Sequence, residues 1–109
     1  MGKKLIPDEI REKVSVIVEK FNEQELKGMD VRYTARFQGR FLYLDRIAYG
    51  EKGPVSRMEY FRETDKWEFA IFKWSSEIYD PDEWMFYGSE LVDGTVEGAM
   101  KAGMKAYPV

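Results

Sequence analysis

The run Asp30-Val31-Arg32-Tyr33-Thr34-Ala35-Arg36-Phe37-Gln38-Gly39-Arg40-Phe41-Leu42-Tyr43-Leu44-Asp45 decides the fold. From Val31 to Phe37 apolar and polar residues alternate. A period of two sends successive side chains to opposite faces of a strand. Gln38-Gly39 marks a tight turn, since glycine accepts the positive φ that hairpins need. A second strand follows from Arg40 to Tyr49. A two-residue loop at 38–39 sets Phe37 opposite Arg40, Ala35 opposite Leu42, Tyr33 opposite Leu44 and Arg32 opposite Asp45. Val31, Tyr33, Ala35, Phe37, Leu42 and Leu44 then share one apolar face. Such a face has to be covered by another layer.

The flanking sequence supplies the cover. Residues 7–27 read as a helix, with Pro7 at the first position, Asp8 and Glu9 in the first turn, and Gly28 past the end. Ile10, Val14, Ile17, Val18 and Phe21 fall on one side of it. Downstream, Gly50-Glu51-Lys52-Gly53-Pro54 reads as a turn, Val55–Phe61 as a third strand and Trp67–Trp74 as a fourth. The fourth strand is apolar almost throughout, which suits a strand covered on both faces. Ser75–Val92 reads as irregular, with a short helical turn starting at Asp80-Pro81. A last helix runs from about Thr95 to Ala106. The expectation is one α+β domain over residues 1–109: an N-terminal helix, a four-stranded antiparallel meander, and a C-terminal helix packed on one sheet face.

Composition narrows the chemistry. The 109 residues include no histidine and no cysteine, but 17 aromatic side chains: 3 Trp, 7 Tyr and 7 Phe. The two absent residue types titrate or attack most readily near neutral pH and are the usual ligands of zinc, copper and iron. This points away from an enzyme and from a metal or other cofactor. The rings point toward packing and interfaces. No apolar run approaches the roughly 20 residues of a membrane span. The basic start Met1-Gly2-Lys3-Lys4 lacks the apolar stretch of a signal peptide, so the sequence reads as cytoplasmic.

Charge is unevenly spread. Residues 1–49 carry ten Lys/Arg and eight Asp/Glu, whereas residues 50–109 carry seven and twelve. Glu77, Asp80, Asp82, Glu83, Glu90, Asp93 and Glu97 follow one another with no base between them. With a net charge of −3, nucleic acid is a poor default partner, because phosphate contacts need clustered cations.

Two surfaces are candidates for binding. On the first hairpin, Arg32, Thr34 and Arg36 share a face with Phe41, Tyr43 and Asp45. Arginines among rings can stack bases and hold phosphates, or make cation–π contacts on a solvated face. The second surface is the acidic-aromatic stretch with Trp74, Tyr79 and Trp84, where rings in excess of one small core would suit an interface. Opposite charge lets the two surfaces pair, within one chain or between two copies. In the acid run, the glycine and the later glutamate of a calcium loop are absent, and Pro81 signals a helix start instead. In the last helix, Gly98, Ala102 and Ala106, with Ala99 and Gly103, form a small-residue surface that calls for close approach of another backbone. The partner is either the chain's own sheet or the same helix of a second subunit.

Tyr60-Phe61-Arg62-Glu63-Thr64-Asp65-Lys66-Trp67-Glu68-Phe69 resembles the strand–turn–strand signature of a small prokaryotic family known only as a domain of unknown function. The resemblance spans residues 8–80 by layout, with identities at Tyr60, Arg62 and Trp67. It implies a helix, a meander and a closing helix, and it implies no activity. The long acidic segment after Trp74 departs from the family pattern.

The sequence therefore leads to a non-enzymatic module for protein interaction or self-association, with Arg32, Arg36, Phe41, Tyr43, Trp74, Tyr79 and Trp84 as its binding residues. Two alternatives stay open: a nucleic-acid module using the first hairpin, and an enzyme or small-ligand protein using carboxylates and tyrosines.

Overall fold

In the computed structural model, which describes residues 5–109, two helices lie on one face of an antiparallel sheet. The basic start at Met1–Lys4 lies outside the described residues. Helix α1 spans Asp8–Gln24, and strands follow at Val31–Gln38 (β1), Phe41–Ala48 (β2), Glu51–Phe61 (β3), Lys66–Lys73 (β4) and Ile78–Asp80 (β5). A single 3₁₀ turn at Ser89–Leu91 precedes helix α2, Val96–Ala106. The sheet has five strands in the order β1-β2-β3-β4-β5, which corrects the expected four. The missed strand is three residues long, too short for a period of two to be legible in sequence.

The first hairpin also corrects the expected register. Its loop is Gly39-Arg40, so Phe37 pairs with Leu42, Ala35 with Leu44, Tyr33 with Arg46, and Arg32 with Ile47. The slip is two residues on the partner strand. Because side chains alternate with period two, the faces survive while the pairs change. Gly39 supplies the positive φ of +60°. The next hairpin turns at Tyr49-Gly50, both at positive φ, which is the backbone a two-residue loop needs. Lys52, Gly53 and Pro54, expected in that turn, belong instead to β3.

A bulge between Leu44 and Asp45 places Val55 as an extra residue in β3. Val55 and Ser56 are both buried. A bulge re-aims a side chain at the cost of one ladder pair, and here it brings Val55 beneath α2. The side chain of Val55 and the hydroxyl of Tyr33 reach to 2.6 and 2.5 Å of where a Cβ on Gly103 would stand. The small face of α2 thus packs on its own sheet, and only a residue without a side chain fits there. Thr95 caps this helix by accepting from the Gly98 amide at 3.0 Å.

Tyr33 is the centre of the covered layer. It is 1% exposed, meets the Phe21 ring edge-on at 5.7 Å, and donates its hydroxyl proton to the Met100 carbonyl at 2.9 Å. Burial pushes its phenol up to about 12, with Arg46 opposing. The hydrogen-bonded Asp65 carboxylate first, and then burial, raise Tyr60 to about 12 as well. A raised folded-state pKa adds stability that is complete below the ordinary tyrosine value and lost as pH climbs through the folded one. Stability should therefore fall between about pH 10 and pH 12. Spectrophotometric titration of the folded protein should find late phenolates at Tyr33 and Tyr60, and Tyr33→Phe should remove one of them.

With α1 and α2 on one face, no helix among the described residues lies over the opposite face of the sheet. β4 is nonetheless buried on both sides, at Phe69 and Ile71 beneath the helical layer and at Ala70 and Phe72 on the open one. The rings that cover Phe72 come from beyond β4: Trp74 at 5.0 Å and Tyr79 at 5.0 Å. No helix among the described residues is long and apolar enough to cross a membrane.

Candidate functional site

The open face of the sheet holds the densest set of contacts between rings and cations. Alternation along β1 and β2 brings Arg36 and Tyr43 opposite each other, and the Arg36 guanidinium lies 4.4 Å from the centre of the Tyr43 ring. The same arginine reaches the buried Asp45 carboxylate at 3.5 Å. Next to them, across β2 and β3, Arg57 pairs with Tyr43 in register and lies 4.4 Å over Phe41 and 5.5 Å over Tyr79. Tyr43 meets Tyr79 edge-on at 5.4 Å, and Phe41 is tilted against Tyr43 at 6.1 Å. Burial first, and the Asp45 carboxylate next, raise the Tyr79 phenol, while Arg36 and Arg57 oppose them. Both cations stacked on these rings are arginines, whose flat guanidinium lies against a ring face as an ammonium cannot.

Arg36, Phe41 and Tyr43 share one face, and Tyr79, which the sequence put on the other candidate surface, joins them there; Arg32, Trp74 and Trp84 stay outside the cluster. Arg32 shares the strand face but stands opposite Ile47, not Asp45, and stacks on none of the rings. Asp45 goes to Arg36 instead, because the register differs by two. Trp74 joins only the rim, edge-on to Phe72 at 5.0 Å, with its indole against Gly53. Trp84 leaves the face altogether and lies 6.4 Å from Phe69, on the side of the helices. The acidic-aromatic segment therefore divides. Its first part, at Tyr79, folds onto the hairpin of the same chain, and its later part packs elsewhere.

Arg57 is the residue that sequence reading missed. Its side chain makes no ion pair or hydrogen bond among the described residues, and its guanidinium is held only by rings. The one buried side-chain polar atom without a partner among the described residues is Ser56 Oγ, so the Arg57 nitrogens are in contact with solvent. Alternation with Met58 and Tyr60 is the one signal that could have placed it on this face, but its two rings come from β2 and β5.

By strand alternation this face carries five cations, Arg32, Arg36, Lys52, Arg57 and Lys66, against three acids, Asp45, Glu59 and Glu68. It is a basic surface on a chain of net charge −3. The acids of the 77–97 segment are engaged differently. Lys73 reaches Glu83 at 3.2 Å and Asp80 at 3.8 Å, which puts the chain's own ammonium between two carboxylates of the acid run. Lys105 binds Glu90, and Lys101 lies 4.0 Å from Glu97. Asp80 does not start a helix: its carboxylate accepts from the Asp82 amide at 3.0 Å in a local turn. Hydrogen-bond donors hold Glu83, Glu90 and Asp93 below the usual carboxylate range. They are kept as anions, the state that attracts cations and cannot donate a proton. No protein-family model, curated protein or solved structure matches the chain.

Proposed function

We propose that this chain is a non-enzymatic protein-interaction domain whose open sheet face receives an acidic surface of another protein. The observation that carries this reading is Arg57, a guanidinium stacked between Phe41 and Tyr79 with solvent-reached N–H groups and no acid of its own. A stacked arginine is already held in one geometry, so less rotamer freedom is lost when it binds a carboxylate. Arginine and tyrosine together are also the residue types that carry binding energy at interfaces.

Two arguments favour this partner over the alternatives. Phe41, Tyr43 and Tyr79 each already carry a guanidinium on a ring face, which leaves less platform for a base to stack on. A second copy would have to present its own acid run, and Asp80, Glu83, Glu90 and Glu97 are already matched by lysines of their own chain.

The test is fluorescence anisotropy with a labelled peptide of glutamates and aromatics, beside a thymidine oligonucleotide, at low and high salt. The peptide should bind, binding should weaken with salt, and Arg57→Ala should lower affinity roughly tenfold. Preference for the oligonucleotide would replace this reading with the nucleic-acid one. A dimer in sedimentation that Arg57→Ala dissolves would put a second copy on the face instead.

A further inference from the structure

The two edges of the sheet are treated differently. At β1 the Asn22 side chain of α1 lies along the edge: its carbonyl oxygen accepts from the Tyr33 amide at 2.8 Å, and its NH₂ donates to the Tyr33 carbonyl at 3.0 Å. One carboxamide thus satisfies both main-chain groups that Tyr33 turns to that edge. This is a block on strand addition, and open edges without one are where chains pair.

The β4 edge has no such block. β5 pairs only with Ile71, Phe72 and Lys73, leaving Lys66–Ala70 without a strand on that side. The Lys73 carbonyl accepts from the Glu77 amide, so the main-chain groups of Lys73 face the β5 side. Alternation then turns the N–H and C=O of Trp67 and Phe69 to the same side. Among the described residues no hydrogen bond crosses this edge to them.

A groove of about 420 Å³ runs beside these free groups, lined by Trp67, Glu68, Phe69, Pro81, Trp84 and Val92. Trp84 stays 49% exposed there, although its ring is within 6.4 Å of Phe69. Two acids at the rim, Glu68 and, next to Pro81, Asp82, have no cation partner among the described residues, while Glu83 and Glu90 of the far wall are held by Lys73 and Lys105.

We infer that the Lys66–Ala70 edge of β4 takes an extended basic peptide as an added strand, with an apolar side chain seated between Trp67, Trp84 and Val92 and lysines or arginines facing Glu68 and Asp82. Main-chain pairing provides the affinity, and the pocket and the acids select the sequence, as in other cases of strand addition. Complementary charge decides the occupant: an acidic segment, or the equally acidic edge of a second copy, would meet like charge. Arg57 lies one strand in from this edge, paired with Ala70 across β3 and β4, but its side chain is on the open face, whereas Trp67 and Phe69 of the groove are turned to the side of the helices.

The probe is a blocked peptide alternating lysine with valine and leucine, compared with its glutamate counterpart and with a version N-methylated on alternate residues. Expected are binding of the lysine peptide alone, and slowed hydrogen exchange at the Trp67 and Phe69 amides. Glu68→Lys should weaken binding roughly tenfold. The inference is overturned by equal binding of the glutamate or N-methylated peptide, by absent binding or protection, or by binding that Glu68→Lys leaves unchanged. Concentration-dependent protection of β4 without peptide would assign the edge to a second copy and overturn it as well.

Discussion

Gly103→Ala should destabilise the protein by about 1–5 kcal/mol, although the same change stabilises an isolated helix by about 1 kcal/mol. The added methyl would stand 2.5 Å from the Tyr33 hydroxyl and 2.6 Å from Val55 Cγ1, on two different strands. Tyr33 cannot yield without giving up its bond to the Met100 carbonyl, and a buried hydroxyl left unpaired costs about 1–3 kcal/mol. Overpacking against Val55 adds about 1–3 kcal/mol more. Urea denaturation followed by tryptophan fluorescence measures the sum. The loss should be independent of protein concentration, because the close partner is the chain's own sheet. A variant as stable as the parent would mean that α2 does not sit on β1 and β3. A loss that shrinks as concentration rises would point to helix pairing between subunits.

Leu44→Ala should cost about 2–5 kcal/mol, and its neighbour Tyr43→Ala markedly less. Leu44 is fully enclosed between the sheet and the helices, and truncating it leaves a cavity in a layer closed on all sides. For a domain of this size the expected drop in melting temperature is roughly 10–25 °C. Tyr43 is adjacent in the chain but faces the other way, where truncation removes an edge-on ring contact and the stacked Arg36. Each such contact is worth about 1 kcal/mol. Thermal melts of the two variants compare the faces directly. Equal losses would mean that the arginine-bearing face is a second core rather than a surface, and the binding proposal would lose its footing.

The contrast between these two neighbours is legible in the residue order alone. Alternation from Val31 to Leu44 sorts side chains into two sets, and a register error of two residues leaves both sets intact. The helices are equally readable, with Thr95 capping α2 as its residue type suggests. Short or locally ambiguous elements are not. β5 is held by its pairing with β4, and neither Ile78 nor Tyr79 carries a pattern long enough to declare a strand. Pro54 and Gly53 resemble turn residues, yet a bulge accommodates them inside β3. The binding face is half visible: Arg36, Phe41 and Tyr43 lie on one hairpin, but Arg57 and Tyr79 reach them only from other strands.

Hydrophobic period, turn residues and composition are enough to place a helix-covered antiparallel sheet and to remove imidazole and thiol chemistry, because those properties act locally or by simple absence. Which guanidinium rests on which ring, which acid meets which lysine, and which sheet edge is left unpaired depend on contacts between residues far apart in the chain. Those contacts are chosen by register, bulge and the close seat of α2 at Gly103, and each of these is settled only when all the layers pack at once.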